Sequence, residues 1–351
     1  MKLLKYPRLV QDQILNYTVY SDLFLLSLLS KKMKNLIKSY QVTRFKHITS
    51  IVYDSYTIDH PLVHIGCRPF SILKFSEYEE TANVKFQLNI SGKMIDFQSS
   101  DEYYCPVALF HPHERESVIE SIHNYFLDFF ETSVEYHWIT NNYKISIPRL
   151  KNLAVCIHMF IPRRFEDMKN LDNFFSSCPV LKSIDIDFYA DESLSPESES
   201  RLYQAESIRT TQFDQKTPAV LRNFQGRQAF LMYFACDVSD LIEFVNRWKS
   251  GEAFRKLEYL TILIYREGIP RDETLNSIGA RHIDATRKPP THTVRKSYID
   301  NPFKPMTDPI MSHSYVVRDS DNRVASVLIE GNTLSFGVWD KTEEEFLRMV
   351  D

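Results

Sequence analysis

The sequence predicts an α+β protein in which a small helical module precedes two strand-rich regions. Apolar residues recur at helical spacing near the start of the chain and alternate with polar residues from about residue 48. From about residue 115, strand-like segments alternate with helical stretches. We therefore expect a three-helix domain at 1–46, an antiparallel β region at 48–110 and an α/β region at 115–351.

The composition is that of a globular protein without nucleotide chemistry. Only 8 of the 351 residues are Gly, and no G-x-G occurs. Phosphate-binding loops need clustered glycines, because their backbone N–H groups must approach the phosphate closely. The five cysteines are widely spaced and form no C-x-x-C, which favours free thiols in a reducing compartment. They are Cys67, Cys105, Cys156, Cys178 and Cys236.

Charge is unevenly distributed along the chain. The formal net charge is −4, but residues 1–50 contain nine Lys or Arg and two Asp, a net +7, so the remainder carries −11. This basic start is either a solvated helix face or a module that meets an acidic partner or nucleic acid. The apolar run Leu23–Leu29 is only seven residues long, whereas a membrane span needs about 20. With no signal-peptide pattern at the start, we expect no membrane partner and a cytoplasmic or nuclear location, or both.

The first 40 residues predict three short helices. Pro7 suits the first turn of a helix in which Leu9, Val10, Ile14 and Leu15 form one broad apolar face. Ser21 or Asp22 can cap a second helix over Leu23–Leu29, and Ser30 a third, with an apolar face formed by Met33, Leu36, Ile37 and Tyr40. A unit of this size can bury few of its leucines, and the apolar surface that remains exposed suggests a binding partner.

These residues resemble a known helical motif. The pattern is Leu3-Leu4-x-x-Pro7-x-Leu9-Val10, then Ile14-Leu15, Asp22-Leu23-x-x-Leu26-Ser27, Ser30-Lys31 and Leu36-Ile37, and it resembles an F-box. The resemblance implies binding to the Skp1 adaptor of cullin–RING ubiquitin ligases. Tyr6 stands before Pro7 where that family usually has Leu, and its ring can also be buried. The implied contact residues are Leu3, Leu4, Pro7, Leu9, Val10, Ile14, Leu15, Leu23 and Leu26.

Two other interpretations of this module stay open. It can be an ordinary helical cap on the next domain. It can also be a helix-turn-helix DNA reader, but such a reader needs side chains that recognise base edges. The third helix offers Lys31, Lys32, Lys34, Asn35 and Lys38, which suit phosphate and specify little. We therefore expect no nucleic-acid partner.

The next region alternates apolar and polar residues and is rich in β-branched and aromatic side chains, which predicts antiparallel strands. Ser91-Gly92 has the composition of a hairpin turn before Met94–Phe97. Strand-like segments include Ile51–Tyr53, Ile58, Leu62–Ile65, Ile72–Phe75 and Val84–Ile90.

A strand followed by a helical stretch recurs from residue 150 onwards. Leu150-x-x-Leu153-x-Val155, Leu181-x-x-Ile184-x-Ile186 and Leu257-x-x-Leu260-x-Ile262 are clear copies. Ala205-x-x-Ile208 and Gln228-x-x-Leu231-x-Tyr233 are weaker ones. Spacings of about 23–31 residues indicate a leucine-rich-repeat-like α/β solenoid that lacks the usual asparagine ladder. A single α/β domain with a parallel sheet is the alternative.

The segment Ser239–Ile262 and the tail are similar to a second family. The string Ser239-Asp240-Leu241-Ile242-x-Phe244-Val245-Asn246-x-Trp248-Lys249-Ser250-Gly251 resembles the type 2 F-box-associated domain of nematode F-box proteins. It predicts a helix that Asp237 or Ser239 caps and Gly251 ends. The tail predicts a β-hairpin around Ser320-Asp321-Asn322 and a helix over Glu343–Val350. Segments 191–200 and 281–309 have the composition of loops.

No pattern of chemical residues indicates catalysis. His60 and His64, and also His111 and His113, have metal-like spacing but no further ligands beside them in the sequence. Cys156 and His158, and likewise Asp185 and Asp187, are two apart on predicted strands and so share a face. We expect no enzyme activity, no metal and no cofactor.

The two resemblances together imply a substrate-recognition adaptor of an SCF-type (Skp1–cullin–F-box) ubiquitin ligase. The F-box would bind Skp1 and, through it, cullin, and the C-terminal domain would bind a protein substrate that the sequence does not identify. The alternative is a protein-interaction scaffold outside the ligase with a weak or divergent F-box. A cryptic hydrolase, the third possibility, would need a deep pocket with a nucleophile beside a base.

Overall fold

A computed structural model describes residues 3–56, 60–66, 70–79, 86–100, 102–130, 133–162, 165–189, 200–213, 219–297 and 304–350. The chain forms two compact units, Met1–Val155 and Cys156–Asp351. The predicted domains 1–46 and 48–110 both lie in the first unit. None of the helices in these described ranges is long and apolar enough to cross a membrane.

The N-terminal module has one more helix than predicted. Ser30 caps its helix as expected, because its hydroxyl accepts a hydrogen bond from the Met33 N–H at 3.1 Å. The predicted Ser21 or Asp22 cap is wrong: the second helix starts at Tyr20 after Val19, and Asp22 lies in its first turn, where a negative charge favours the helix dipole. After a 3-10 turn at Leu3–Lys5, the helices are α1 (Arg8–Tyr17), α2 (Tyr20–Leu28), α3 (Lys31–Tyr40) and α4 (Val42–Lys46).

The sheet of the first unit is only partly antiparallel. The Ser91-Gly92 hairpin is confirmed, because both residues have positive φ (49° and 91°), as a type I′ turn requires. The strands are β1 (Ser50–Ser55), β2 (Leu62–Ile65), β3 (Phe70–Glu77), β4 (Phe86–Ile90), β5 (Lys93–Ser100), β6 (Cys105–Phe110) and, after helix α5 (Arg115–Phe129), β7 (Glu135–Thr140).

Two parallel pairs correct the prediction of an antiparallel region. Within this unit the strand order is β4-β5-β6-β3-β2-β1-β7. The pairs β3–β6 and β1–β7 are parallel. The β4–β5 hairpin lies at the edge of the sheet, and β6 pairs between β5 and β3. Helix α5 connects β6 to β7, which pairs in parallel with β1; parallel strands need such a long connection. The predicted segments that include Ile58, Val84 and Lys85 extend beyond the described residues.

The helical module shares one core with this sheet. Leu15, Leu23 and Phe24 belong to a buried cluster that also contains β-strand and α5 residues. The Phe24 and Phe126 ring centroids are 5.2 Å apart, and the Phe45 ring lies 5.3 Å from that of Phe129. The F-box-like helices therefore obtain from the strands and α5 the core that they are too small to build alone.

The second unit contains parallel strands followed by an antiparallel end. The elements are β8 (Leu153–Ile161), α6 (Met168–Ser177), β9 (Leu181–Phe188), β10 (Ser207–Gln212), α7 (Ala219–Asn223), β11 (Gln228–Tyr233), α8 (Val238–Lys249), β12 (Tyr259–Ile264), α9 (Arg271–Ser277), β13 (Arg281–His282), β14 (Thr291–His292), β15 (Ile310–Met311), β16 (Ser314–Val317), β17 (Arg323–Glu330), β18 (Thr333–Thr342) and α10 (Glu343–Leu347). The strand order is β8-β9-β10-β11-β12-β18-β17-β16-β13, and the first two residues of β8 that precede Val155, with Val155 itself, belong to the first unit. Strands β9 to β12 are parallel neighbours.

The strand register tests the repeat alignment. Ile208 pairs with Ile184 on one side and Ala229 on the other, and Ala229 pairs with Leu260. The copy that begins at Gln228 is therefore aligned wrongly by two residues, because Leu231 does not pair with Ile208. An N-terminal helical region followed by strand-rich structure fits the α+β class. The solenoid and its leucine-rich-repeat-like character stay predictions.

The local predictions near the C-terminus are mostly confirmed. Gly251 follows α8 with φ +74°, the left-handed conformation that favours glycine at a helix end. Asp237 is the N-cap residue of α8 but makes no side-chain cap. Strands β16 and β17 form the expected hairpin, with Asn322 at φ 58°. The last helix is shorter than predicted and ends at Leu347.

Segment 281–309 is less loop-like than predicted, since it includes β13 and β14 and the buried His292. Most of the predicted 191–200 loop lies outside the described residues.

Candidate functional site

The start of the chain presents apolar side chains to solvent. Leu9 is 80% exposed, and Leu4, Tyr6 and Val10 are exposed as well, beside the exposed Pro7. We call these five residues the N-terminal apolar surface. Exposed apolar groups that are adjacent in the chain are typical of sites that bind another protein.

Helix α1 divides its apolar residues between core and solvent. Leu15 is completely buried and Gln11 is nearly so, and these two lie on one face because they are four apart. Leu9 lies on another side of the helix, and Val10, four residues before the half-buried Ile14, is 40% exposed. The predicted single apolar face of α1 is therefore wrong: the inward face is Gln11, Ile14 and Leu15, and the start of the helix faces outwards.

The segment before α1 is held in place by one anchor and one hydrogen bond. Leu3 is buried in the core of the first unit. The Gln11 side-chain amide donates to the Tyr6 carbonyl at 2.8 Å. Leu4 and Tyr6 are exposed next to these two contacts. The contacts therefore fix the backbone that carries the exposed apolar side chains.

The nine residues implied as Skp1 contacts divide into three groups. Leu4, Pro7, Leu9 and Val10 are exposed, and Ile14 and Leu26 are half-buried. Leu3, Leu15 and Leu23 are buried in the core of the first unit, where a direct contact with another protein would require them to move. Their contact with Skp1 stays a prediction for all nine.

Four exposed apolar residues of the helical module were not singled out from the sequence. Tyr17 ends α1, Val19 precedes α2, Leu29 follows α2 and Val42 begins α4. Their position at helix ends is the signal that could have identified them, because side chains at the ends of short helices are less completely covered than those in the middle.

Several basic residues of the module have internal partners. Lys34 forms an ion pair with Asp128 of α5, and its ammonium lies 4.0 Å from the centre of the Tyr125 ring. This ion pair lowers the pKa of Asp128. Arg44 donates to the Thr18 carbonyl at 2.8 Å. Lys34 and Arg44 therefore stabilise the fold, which weakens the DNA-reader interpretation.

The histidines singled out for metal spacing have other neighbours. His64 Nδ1 lies 2.9 Å from the Gly66 carbonyl oxygen, and the His60 ring meets the Phe110 ring edge-on. The rings of His111 and His113 stack on each other at 5.8 Å. Over the part of the chain that the structure describes, no three His, Cys, Asp or Glu residues are grouped to hold a metal.

Of the two strand pairs considered for catalysis, Cys156 and His158 differ in burial, whereas Asp185 and Asp187 are both half-buried. Cys156 is fully buried, while His158 is half-buried with Nδ1 3.7 Å from the Asp185 carboxylate. Asp185 also lies 3.7 Å from the Arg209 guanidinium. These contacts place Asp185 between a histidine and an arginine on the sheet.

A cavity of about 290 Å³ lies on the first unit's sheet. Lys74, Glu77, Gln98 and Tyr103 are among its lining residues, and the Lys74 ammonium lies 3.9 Å from the Tyr103 ring centre. The described lining includes no histidine, which is the commonest base of a hydrolase. Cys105 is buried close by, and burial raises its thiol pKa to about 11, which keeps the thiol protonated and unreactive.

Comparison with protein families identifies an F-box domain at residues 7–45. The matched range begins at Pro7 and ends at Phe45, so it includes helices α1, α2 and α3 and most of α4. No curated protein and no solved structure matches the chain. The chain thus contains an F-box domain, while the type 2 F-box-associated domain and the nematode family stay predictions.

Proposed function

We propose that this protein is a substrate-recognition adaptor of an SCF-type ubiquitin ligase. The F-box domain at residues 7–45 carries the proposal, because F-box domains generally bind Skp1. In this role the first unit docks on Skp1 and, through it, on cullin, and the second unit holds a protein substrate. The proposal includes a type 2 F-box-associated domain of repeat-like form in the second unit, and a cytoplasmic or nuclear location.

The N-terminal apolar surface is the contact that we assign to Skp1. Full burial of a Leu or Val side chain contributes about 1.5–3 kcal/mol, and Leu9 is 80% exposed in the free chain. Leu4 and Val10 add to this term, and the Tyr6 ring can take the place of an aliphatic side chain. The summed free energy of burying these side chains offsets association costs of several kcal/mol only if the complex covers most of the N-terminal apolar surface.

The adaptor would act without chemistry of its own. Holding a substrate lysine near the ubiquitin thioester raises the effective concentration of the two reactants. The function therefore needs two binding surfaces on one chain and no nucleophile, metal or cofactor.

Copurification with Skp1 tests the proposal. We expect the wild-type chain, coexpressed with Skp1, to copurify with it, and the Leu9→Ala/Val10→Ala variant to lose most of the bound Skp1. Val180→Ala is the matched control, because Val180 is also an exposed apolar residue but lies in the second unit. Equal Skp1 recovery with wild type and the double variant would refute the assigned surface.

The runner-up is an interaction scaffold that binds Skp1 poorly or acts outside a ligase. The observation that favours it is that Leu3, Leu15 and Leu23, three implied contact residues, are buried in the first unit's core. A cullin pull-down distinguishes the two: an adaptor recovers cullin only when Skp1 is present, and the scaffold does not recover it.

A further inference from the structure

The parallel strands of the second unit have one closed and one open face. Alternate residues such as Ile184, Ile208 and Ile262 are completely buried on the closed face. The residues between them form the other face, where burial decreases from the amino to the carboxyl ends of the strands. In register, its three rows are Ser183, Ser207, Gln228 and Tyr259, then Asp185, Arg209, Phe230 and Thr261, and then Asp187, Thr211, Met232 and Leu263. Beyond them, the residues that directly follow the four strands are Tyr189, Phe213, Phe234 and Tyr265.

The first row is covered by the segment around β14. The Gln228 amide donates to the Arg295 carbonyl at 2.7 Å and accepts from the Ser297 N–H at 2.9 Å. The Tyr259 ring stacks on His292 with centroids 6.5 Å apart. This cover explains why the first row is buried, and the rows beyond it are partly or fully exposed.

Four aromatic rings line the carboxyl ends of the strands. Phe160 lies 4.9 Å from Tyr189, Tyr189 lies 4.4 Å from Phe213, and Phe213 lies 6.5 Å from Tyr265, measured between ring centroids. We call these four residues the aromatic row. Phe160 is 63%, Phe213 38% and Tyr265 50% exposed, and Tyr189 between them is half-buried.

The charges on this face do not favour a polyanion. Asp185 lies between His158 and Arg209, 3.7 Å from each, and Arg266 stacks over Phe234 at 5.2 Å. Residues 156–351 contain 25 Lys or Arg and 30 Asp or Glu, a net −5. A nucleic acid would be repelled by this unit, so the chemistry of the row matches an occupant of low charge.

The exposed area argues for a short ligand. With an aromatic side chain contributing about 150–250 Å², the three exposed rings offer about 300 Å² in all. A stable protein–protein interface buries about 800 Å² on each partner. The row is therefore too small to hold a second copy of this chain and is suited to a short segment.

We propose that the aromatic row binds an extended, apolar segment of a protein substrate. Every second side chain of an extended segment lies on one face, about 6.6 Å from the next. That spacing matches the 6.5 Å distance between the Phe213 and Tyr265 rings, whereas the other neighbouring rings of the row are 4.4–4.9 Å apart. The inference rests on the proposed adaptor function, since it supplies the substrate class that the second unit would hold.

Peptide binding to the full chain in complex with Skp1 tests this inference. The probe is a fluorescent 12-residue peptide with Leu, Val or Pro at every second position and Ser or Gly between them. Its control has the same composition with the apolar residues placed in one block. We expect the alternating peptide to bind at least 5-fold more tightly than the block peptide, and Phe213→Ala/Tyr265→Ala to weaken that binding at least 10-fold.

Val180→Ala is the control variant, because Val180 is exposed just before β9, at the opposite end of the strands from the aromatic row, and we expect it to bind the peptide as wild type does. Absence of peptide binding, equal binding by the double variant, or a preference for an oligothymidine of similar length would overturn the inference. Skp1 recovery is measured on the same samples. Loss of peptide preference with Skp1 still bound contradicts only this inference, whereas failure to bind Skp1 contradicts the proposed function.

Discussion

Replacing Leu9 by Ala separates binding from folding. Leu9 is 80% exposed and Leu15, on the same helix, is 0% exposed. Leu9→Ala removes about three carbon atoms from a side chain that is mostly exposed, so the stability of the free chain should change little. In a complex that buries it, the loss is about 0.8 kcal/mol per methylene-sized group, or about 2.4 kcal/mol in total. That corresponds to about a 50-fold weaker Kd for Skp1.

Leu15→Ala is the matched variant with the opposite expectation. Its side chain is in the shared core of the first unit, where Leu→Ala costs about 2–5 kcal/mol of unfolding free energy. For a unit of this size that lowers the Tm by about 4–20 °C. Leu9→Ala should leave the Tm within about 2 °C of wild type, because surface changes usually cost less than about 0.5 kcal/mol.

The assay pairs thermal unfolding with Skp1 titration by biolayer interferometry on the same preparations. The expected pattern is a crossed one, with Leu9→Ala changing the Kd and Leu15→Ala changing the Tm. A Leu9→Ala variant with unchanged Kd and lowered Tm would refute the reasoning, since it would show that Leu9 is part of the core.

Three further predictions concern the fold. Tyr53→Phe should lower the unfolding free energy by about 1–3 kcal/mol in urea titration, because the Tyr53 hydroxyl lies 2.8 Å from His123 Nδ1 in a buried site. The control is Tyr104→Phe, at an exposed residue, which should leave the unfolding free energy unchanged. Equal effects of the two substitutions would contradict a stabilising Tyr53–His123 hydrogen bond. Burial lowers the pKa of His123 and of His292, so below about pH 6.5 the unfolded chain binds more protons than the folded chain. The unfolding free energy should therefore be lower at pH 5.5 than at pH 7.5. An unchanged urea midpoint between these two pH values would exclude this linkage. Gly251→Ala should lower the unfolding free energy of the protein by about 1 kcal/mol, because φ is +74° and a Cβ would lie 2.8 Å from Ser320 Oγ. Its control in thermal unfolding is Gly268→Ala, whose Cβ would meet nothing closer than 3.6 Å.

The orientation of His123 illustrates a contact that no sequence pattern indicates. Its Nε2 lies 2.8 Å from the Lys151 carbonyl oxygen. A carbonyl only accepts, so Nε2 carries the proton and Nδ1 of the neutral ring accepts from Tyr53. These three residues are far apart in the chain, and only the strand pairing and the packing of α5 bring them together.

Local features were predictable where a single residue type determines the backbone. Ser30 at a helix start and Gly92 and Gly251 at positive φ follow from short-range rules. The parallel pairs β3–β6 and β1–β7 did not follow from the alternation of residues, because alternation identifies a strand and says nothing of its neighbour. The same limit explains the two-residue misalignment at Gln228, where strand pairing and not the apolar spacing determines the register.

The division of α1 between core and surface shows why the candidate site could be identified only in part. Leu9 and Leu15 are the same residue type and lie within two turns of each other, yet one is exposed and one is fully buried. What separates them is the neighbour: the inward side of α1 meets a core that includes β-strands and α5. The spacing of leucines identifies the F-box, but the identity of the exposed leucines depends on the rest of the first unit. A mutation in that core, far from the N-terminal apolar surface in sequence, should therefore weaken Skp1 binding only as far as it unfolds α1.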